Sequence, residues 1–373
     1  MSSSCGSSSS LAGGASLTIG PDQYEPTQEY QEALRAMAMD GRLLLQYGYI
    51  LRQLSRIELE RKKRCFKCTR VLKARDVVVE AGQAKKVPEV QAKCSFHSGR
   101  VAYGKWTCCN GHPRSKPCNH QLEHTARYYA PDELADTWRF YDTPERLPTE
   151  RPAALAVSID CEMGTAVSGD SEVIRVSVVD YYNGRVLLDK LVYPDVPMAH
   201  YNTSWSGVSF RDMSGARRAR TCIFGRDNAR RAVWELIGRE TIVVGHACQN
   251  DLNALRMLHP LVVDTQIYEN QKRAEATRAY EMALERDGLL GEEHFEAPDE
   301  KYGMGLKDLA VKYLHRVIQT KGRGHDSVED AMATRDILHV FVTEEIEQKK
   351  MDDEISEELL AKWQNLRITA EAA

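Results

Sequence analysis

Three short stretches set acids and a histidine at spacings that could do chemistry. In Ser158-Ile159-Asp160-Cys161-Glu162-Met163-Gly164, two acids close an apolar run. Residues i and i+2 of a strand share a face, so Asp160 and Glu162 converge at the end of the first strand. Two carboxylates forced together repel unless a divalent cation neutralises them, and hard oxygen ligands suit Mg²⁺ or Mn²⁺. A solvated strand end would carry acids as well. In Val244-Gly245-His246-Ala247-Cys248-Gln249-Asn250-Asp251-Leu252, a polar turn delivers Asp251 into the start of a helix. There Asn250 or Asp251 could equally serve as a cap. In Gly324-His325-Asp326-Ser327-Val328-Glu329-Asp330-Ala331, the histidine stands at a loop-to-helix junction and Asp330 about one turn inside. An acid-rich first turn is also what the helix macrodipole favours. Each motif has a bland reading alone; four carboxylates and a histidine together are harder to dismiss.

A second cluster is chemically soft. Cys65-Phe66-Lys67-Cys68 is followed by Cys94-x2-His97, Cys108-Cys109 and Cys118-Asn119-His120, with His112 and His124 nearby. Zinc takes four tetrahedral thiolate or imidazole ligands, and a two-residue gap lets one turn supply two of them. Cys65, Cys68, Cys94, His97, Cys108, Cys109, Cys118 and His120 suffice for two structural Zn²⁺ ions. The alternative is ordinary buried thiols. Met1 to Ser10 is Ser-rich without the basic-then-apolar order of a secretory signal, which favours a reducing compartment and metal over disulfides. Residues 70–93 hold no Cys or His, so the two halves must meet through folding.

Elements must bring these groups together. Of 373 residues 42% are hydrophobic and 28% charged, ordinary for a globular chain. The net charge of −4 weighs against a protein that coats nucleic acid, but it is an average. Residues 61–120 carry +12 and the rest −16. No apolar run approaches the roughly 20 residues of a membrane helix. The pattern predicts a disordered tail over 1–24, a helical segment over 25–64, a zinc-binding module over 65–124 and a linker over 125–152. A catalytic domain over 153–345 and an acidic C-terminal helix over 346–373 follow. Strands are expected at Ala154–Ile159, Val173–Val179, Val186–Val192, Thr241–Val244 and Leu261–Val263, with an Asn183-Gly184 turn inside the second hairpin. Helices are expected at Asp227–Ile237, Leu252–Leu258, Leu306–Leu314 and Val328–Val340. Three strands followed by alternating helices and strands suggest an α/β mixed sheet with helices on both faces. Between Tyr268 and Tyr302 lies a highly charged insertion containing Gly291 to Glu296.

The order Asp160-x-Glu162, Asp251, then His325-x4-Asp330 resembles the DEDDh 3′–5′ exonucleases. It is more similar still to the Rex and interferon-stimulated-20-kDa group of RNA exonucleases, through Asp160-Cys161-Glu162-Met163, Gly245-His246 with Asn250-Asp251-Leu252, and His325 to Ala331. Trp205-Ser206-Gly207-Val208 resembles a W-S-G-I segment of that group. The sequence departs at Ala199-His200-Tyr201-Asn202-Thr203, where the group often has a D-Y-R-T-like string. Cys94 to Gly99 with Lys105 to Cys109 resembles half of a CHORD-type zinc module, other parts of that pattern being altered.

The resemblance implies an RNase H-like mixed five-stranded sheet behind a small zinc module. It also implies a metal-dependent 3′–5′ exonuclease releasing nucleoside 5′-monophosphates from RNA 3′ ends. Two Mg²⁺ or Mn²⁺ ions would then be held with Asp160 bridging, Glu162 and Asp330 on the nucleophile side, and Asp251 on the other through water. His325 would be the general base, and Met163 and Trp205 would touch substrate. Asp264-Thr265 resembles the group's late D-T, with a structural role. Phe66, Phe96, Tyr103 and Trp106 interleave with the +12 charge, so single-stranded RNA is the expected partner of the module. A protein partner could use the module or the 268–302 insertion. No membrane partner is expected. Arg61-Lys62-Lys63-Arg64 reads as a nuclear signal or equally as part of the zinc module's basic context; the nucleus is the expected location and the cytoplasm the alternative. The alternatives are a catalytically silent RNA- or protein-binding adaptor and an exonuclease acting on DNA.

Overall fold

The computed structural model describes residues 23–73, 78–79, 91–147, 149–286, 302–320, 322 and 324–371. The expected tail lies almost wholly outside them, as does Gly291 to Glu296. The sheet is built around Ala156–Ala166, with Ser171–Asp180 antiparallel on one side and Ile242–Gly245 parallel on the other. Val186–Tyr193 pairs antiparallel with Ser171–Asp180, and Val262–Asp264 parallel with Ile242–Gly245. In chain order these five strands lie 3-2-1-4-5, with only the second reversed, which makes the expected mixed sheet. Two short strands, Ile223–Phe224 and Met198–His200, extend it to seven.

The apolar runs fill both faces. Ala156, Ile242, Val244 and Val263 pack against Ile337, Leu338 and Phe341 of the C-terminal helix and Leu309 of Leu306–Leu314. Val157, Ile159, Val243 and Val262 pack against Val233 of Arg226–Trp234 and Leu255 of Gln249–Leu255. Each fully buried Val, Leu or Ile contributes about 1.5–3 kcal/mol, which holds the strands rigid.

Several boundaries differ from expectation, each for a local reason. The first strand runs on to Ala166, pairing with Ser171–Val173 beyond a bulge at Glu162/Met163, so Asp160 and Glu162 sit mid-strand. The helix expected at Leu252–Leu258 begins at Gln249 and ends at Leu255, because Arg256 turns left-handed and Met257–Leu258 pairs with Tyr141–Asp142. The helical segment is three short helices, Gln28–Ala36, Gly41–Gln46 and Arg56–Glu60, each restarted by a side-chain cap from Thr27, Asp40 or Ser55. Val328–Val340 and the acidic tail form one helix, Ser327–Glu371. Within the expected linker, Phe140 is buried and the Arg256 guanidinium stacks 3.9 Å from the Trp138 ring centre. That stretch is therefore packed onto the domain. The start of the charged insertion continues helix Thr265–Arg286.

Candidate active site and metal centres

Asp160 and Glu162 project from the central strand toward the face covered by the C-terminal helix. Two buried hydroxyl contacts dock the start of that helix. Ser158 Oγ donates to the Ala331 carbonyl at 2.7 Å, and Ser177 Oγ meets Ser327 Oγ at 2.7 Å. This docking places Asp330 beside the strand. Asp251 arrives from the other side, its Oδ1 accepting the Cys161 N–H at 2.8 Å. Glu162, Asp251 and Asp330 are all under 8% exposed.

Burial sets the electrostatics. Desolvation, followed by repulsion from Asp251, Asp330 and Glu162, pushes the Asp160 carboxyl well above the usual range. Glu162 is raised to about 8 by burial and then by Asp330, and Asp251 to about 8 by burial. Asp330 is raised to about 7 by burial, although Gln319 donates to its Oδ2 at 2.9 Å. Glu162 Oε1 and Asp330 Oδ1 are buried without a hydrogen-bond partner. Orphaned carboxyl oxygens in an all-carboxylate site fit hard divalent cations, which would displace their protons.

His325 stands at the rim. Its Nδ1 is 3.7 Å from Asp330 Oδ2, and burial and then Lys307 lower its pKa, favouring the neutral imidazole. Its backbone N–H donates to the Trp205 carbonyl at 2.5 Å, and the rings meet edge-on at 6.0 Å. The approach requires glycine: Gly324 has φ +74°, and a Cβ there would lie 2.5 Å from Gly207 Cα. The Trp205 indole is 70% exposed, while Met163 is partly buried in the core and its carbonyl accepts from Asn202 Nδ2 at 3.1 Å.

The turn that delivers Asp251 is held from behind. The fully buried Asp264 accepts backbone N–H bonds from Ala247 (3.1 Å) and Cys248 (3.0 Å), and the Tyr49 phenol donates to it at 2.5 Å. Ala247 has φ +54°, a left-handed conformation rare for a residue with a Cβ.

Sequence reasoning missed Arg175, which pairs across from Glu162, makes two hydrogen bonds to Asp189 (2.8 and 3.0 Å) and lies 3.3 Å from Asp326. A lone arginine inside the apolar run Val173–Val179 was its signal. Gln319 carried none.

The soft cluster resolves into two groups, Cys65, Cys68, Cys94 and His124, and His97, Cys108, Cys109 and Cys118. Within each, all ligand atoms lie within 4.8 Å of one another. Ligands tetrahedrally placed about 2.3 Å (S) and about 2.0 Å (N) from zinc are about 3.8 Å apart for two sulfurs and about 3.5 Å for sulfur and nitrogen. Cys65 and Cys94 Sγ are 3.7 Å apart, and Cys68 Sγ is 3.5 Å from His124 Nδ1. In the other group Cys108 and Cys118 Sγ are 3.5 Å apart, and Cys109 Sγ is 3.6 Å from His97 Nδ1. These spacings fit a zinc ion in each group and are longer than an S–S bond. His120 belongs to neither group. It pairs with Ser95 across the ladder Cys94–Phe96/Asn119–Gln121, on the face opposite Cys94, and its Nδ1 meets Ser95 Oγ at 3.0 Å. His124 takes the position expected of it. Of the four interleaved aromatics, Phe66 and Tyr103 are exposed, Phe96 is buried, and Trp106 stacks on His97 at 4.3 Å.

No family model matches the chain. It is 28% identical over 343 residues to RNA exonuclease 3 of Candida albicans, covering 88% of this chain and 74% of that protein. It is 30% identical over 284 residues to RNA exonuclease 3 of Emericella nidulans, covering 66% of this chain and 40% of that one. It is 35% identical over 186 residues to the human apoptosis-enhancing nuclease, about half of each chain. A solved structure of the Neurospora crassa Pan2 catalytic unit (protease and nuclease domain) aligns with TM-score 0.39 and 17% identity, over 70% of this chain and 44% of that one.

Proposed function

We propose that this protein is a metal-dependent 3′–5′ exoribonuclease that hydrolyses phosphodiester bonds from RNA 3′ ends, releasing nucleoside 5′-monophosphates in RNA 3′-end processing or turnover. The observation that carries the reading is the convergence of four desolvated carboxylates beside His325, two of their oxygens unpartnered. Relatives named RNA exonuclease 3 support RNA as substrate. Asp160, Glu162, Asp251 and Asp330 would hold two Mg²⁺ or Mn²⁺ ions. Such a pair supplies charge stabilisation to the attacking and leaving oxygens of an in-line displacement. His325, neutral and partly exposed, takes the proton of the attacking water. The exposed Trp205 indole offers a stacking surface at the rim, and Met163 borders the same strand.

The two Cys/His groups would each hold a structural Zn²⁺ in a module over 65–124, ahead of an exonuclease domain over 153–345. The exposed Phe66 and Tyr103 on its basic surface support RNA binding there, and Arg61 to Arg64 supports a nuclear location. The test is incubation with Mg²⁺ or Mn²⁺ and 5′-labelled RNA and DNA oligomers with 3′ overhangs. A ladder shortening from the RNA 3′ end is expected. Degradation of DNA alone, or no degradation of either, overturns the reading.

A further inference from the structure

Helix Ser327–Glu371 outruns the sheet it covers. Its last residues in the main core are Phe341 and Val342. Beyond them Met351, Ile355 and Leu359 are 52%, 58% and 53% exposed, at four-residue spacing and so on one face. Three apolar side chains in register on a projecting helix differ from scattered surface hydrophobics, which need no explanation.

The same face begins inside a groove. Steps of three and four residues run from Glu345 through Gln348 and Asp352 to Ile355 and Leu359. Glu345, Gln348 and Asp352 line an open cavity of about 950 Å³ between this helix, Gln28–Ala36 and the start of Thr265–Arg286. Its floor is apolar, from Ala33, Ala36, Met37, Leu43 and Ile346. Its rim carries Glu29, Glu32, Asp40, Glu345 and Asp352 against one lysine, Lys349. Groove and stripe are therefore one surface, apolar along its centre and acidic along its edges.

We propose that this surface docks a basic amphipathic helix from another protein. The apolar line calls for aliphatic side chains at helical spacing, as in helix-in-groove recognition. Residues 344–359 hold eight acids and two lysines, a net of −6, which selects lysine and arginine on the flanks. From Ile346 to Leu359 the surface extends about 20 Å, room for roughly four helical turns. The same charge repels RNA and anionic lipid, and sets −6 against −6 if a second copy of this chain pairs through it. Asp330 and His325 stand more than a turn before the groove, so docking leaves the carboxylate site open.

A fluorescent Leu/Lys amphipathic peptide of roughly five turns, titrated against the full chain by anisotropy, tests this. Binding is expected that weakens with salt, vanishes for the same peptide with Glu in place of Lys, and falls at least about tenfold for Ile355→Ser/Leu359→Ser, an added 1.4 kcal/mol. Ala36→Trp, which fills the groove without changing charge, should weaken it too. Both variants should degrade RNA oligomers as the parent does, so a failure here is separate from a failure of the nuclease reading. No binding by the parent, or equal binding by the serine variant, overturns the proposal. So does a parent dimer in sedimentation that the serine variant abolishes, since the occupant would then be a second copy.

Discussion

The protein gathers candidate metal ligands in two places by opposite means. The Cys/His region draws its candidate ligands from short ladders and turns, and among the described residues its buried apolar cluster is Cys65, Cys94 and Phe96, two of them candidate ligands themselves. The carboxylate site hangs from a sheet buried on both faces. In the first region bound metal would be the core; in the second, the core forces repelling acids together whether metal is there or not. Ligand softness follows the same division. Burial and then mutual repulsion push the carboxylate pKa values up, whereas Cys65, hydrogen-bonded by Cys68, is pulled down to about 4.

The largest effect should come from the carboxylate site without loss of fold. Asp160→Asn should abolish RNA degradation and His325→Ala should cost about 10²–10⁴-fold. Asp160→Asn should also raise the Tm of chelated protein, because it removes one of the crowded charges. The folded pKa values of Glu162 and Asp330 lie above ordinary carboxylate values, so the folded state keeps protons that the unfolded chain has released. This contribution is intact below the unfolded carboxylate pKa, about 4, and stability falls as pH climbs toward about 8. Added Mg²⁺ should therefore raise Tm more at pH 8 than at pH 5.5, read by differential scanning calorimetry. A Tm unchanged by Asp160→Asn, or a greater metal effect at the acid end, breaks the contrast.

The Cys/His region should respond in the opposite sense. Structural zinc sites contribute apparent binding energies of about 10–16 kcal/mol to folding. His124→Ala should lose one zinc equivalent and expose residues 61–124 to protease, while the sheet stays protected. His120→Ala should keep both equivalents. The measurement is metal content after dialysis with limited proteolysis, and equal zinc loss in the two variants reverses the ligand assignment.

How much of this was legible follows the same contrast. Apolar runs and the Asn183-Gly184 turn marked all five strands, and acids at fixed offsets from them marked the site. Strand geometry converts a two-residue spacing into convergence without tertiary information. The cysteines were legible as candidate ligands for the same reason of type and number. The histidine grouped with them was not, because whether His124 or His120 joins them depends on which face of a ladder each occupies. Arg175 stood out as the lone charge of its strand run, but that it faces Glu162 depends on strand pairing, and Gln319 reaches Asp330 from a loop with no pattern.

Smaller effects should come from the backbone of the turn that leads into His325. Gly324→Ala meets the Gly207 backbone and a left-handed φ together. The displaced His325 should cost roughly 10- to 100-fold in kcat, as misplacements near 1 Å do. Zinc content should not change, and Gly322→Ala, where a Cβ meets nothing within 4 Å, should cost far less. Equal losses in both variants assign the effect to loop strain rather than to the contact with Trp205-Ser206-Gly207.

The smallest effect tests how far the rigid core reaches. Tyr49 lies in the N-terminal segment, far ahead of the Asp160-x-Glu162 motif, yet its phenol donates to the Asp264 carboxylate that fixes the Ala247 and Cys248 N–H groups. Those groups hold the left-handed turn from which Asp251 is aimed at the central strand. Tyr49→Phe removes one donor from a buried carboxylate that keeps its backbone donors, a loss of about 1–3 kcal/mol in stability. A purely structural role would lower Tm and leave the metal requirement alone. If Tyr49 positions Asp251, the half-saturating Mn²⁺ concentration should rise several-fold while kcat at saturating metal stays close to the parent's, since excess metal recovers a ligand that is displaced but present. An unchanged Mn²⁺ requirement confines the phenol to packing and places the functional boundary of the carboxylate site at the sheet itself.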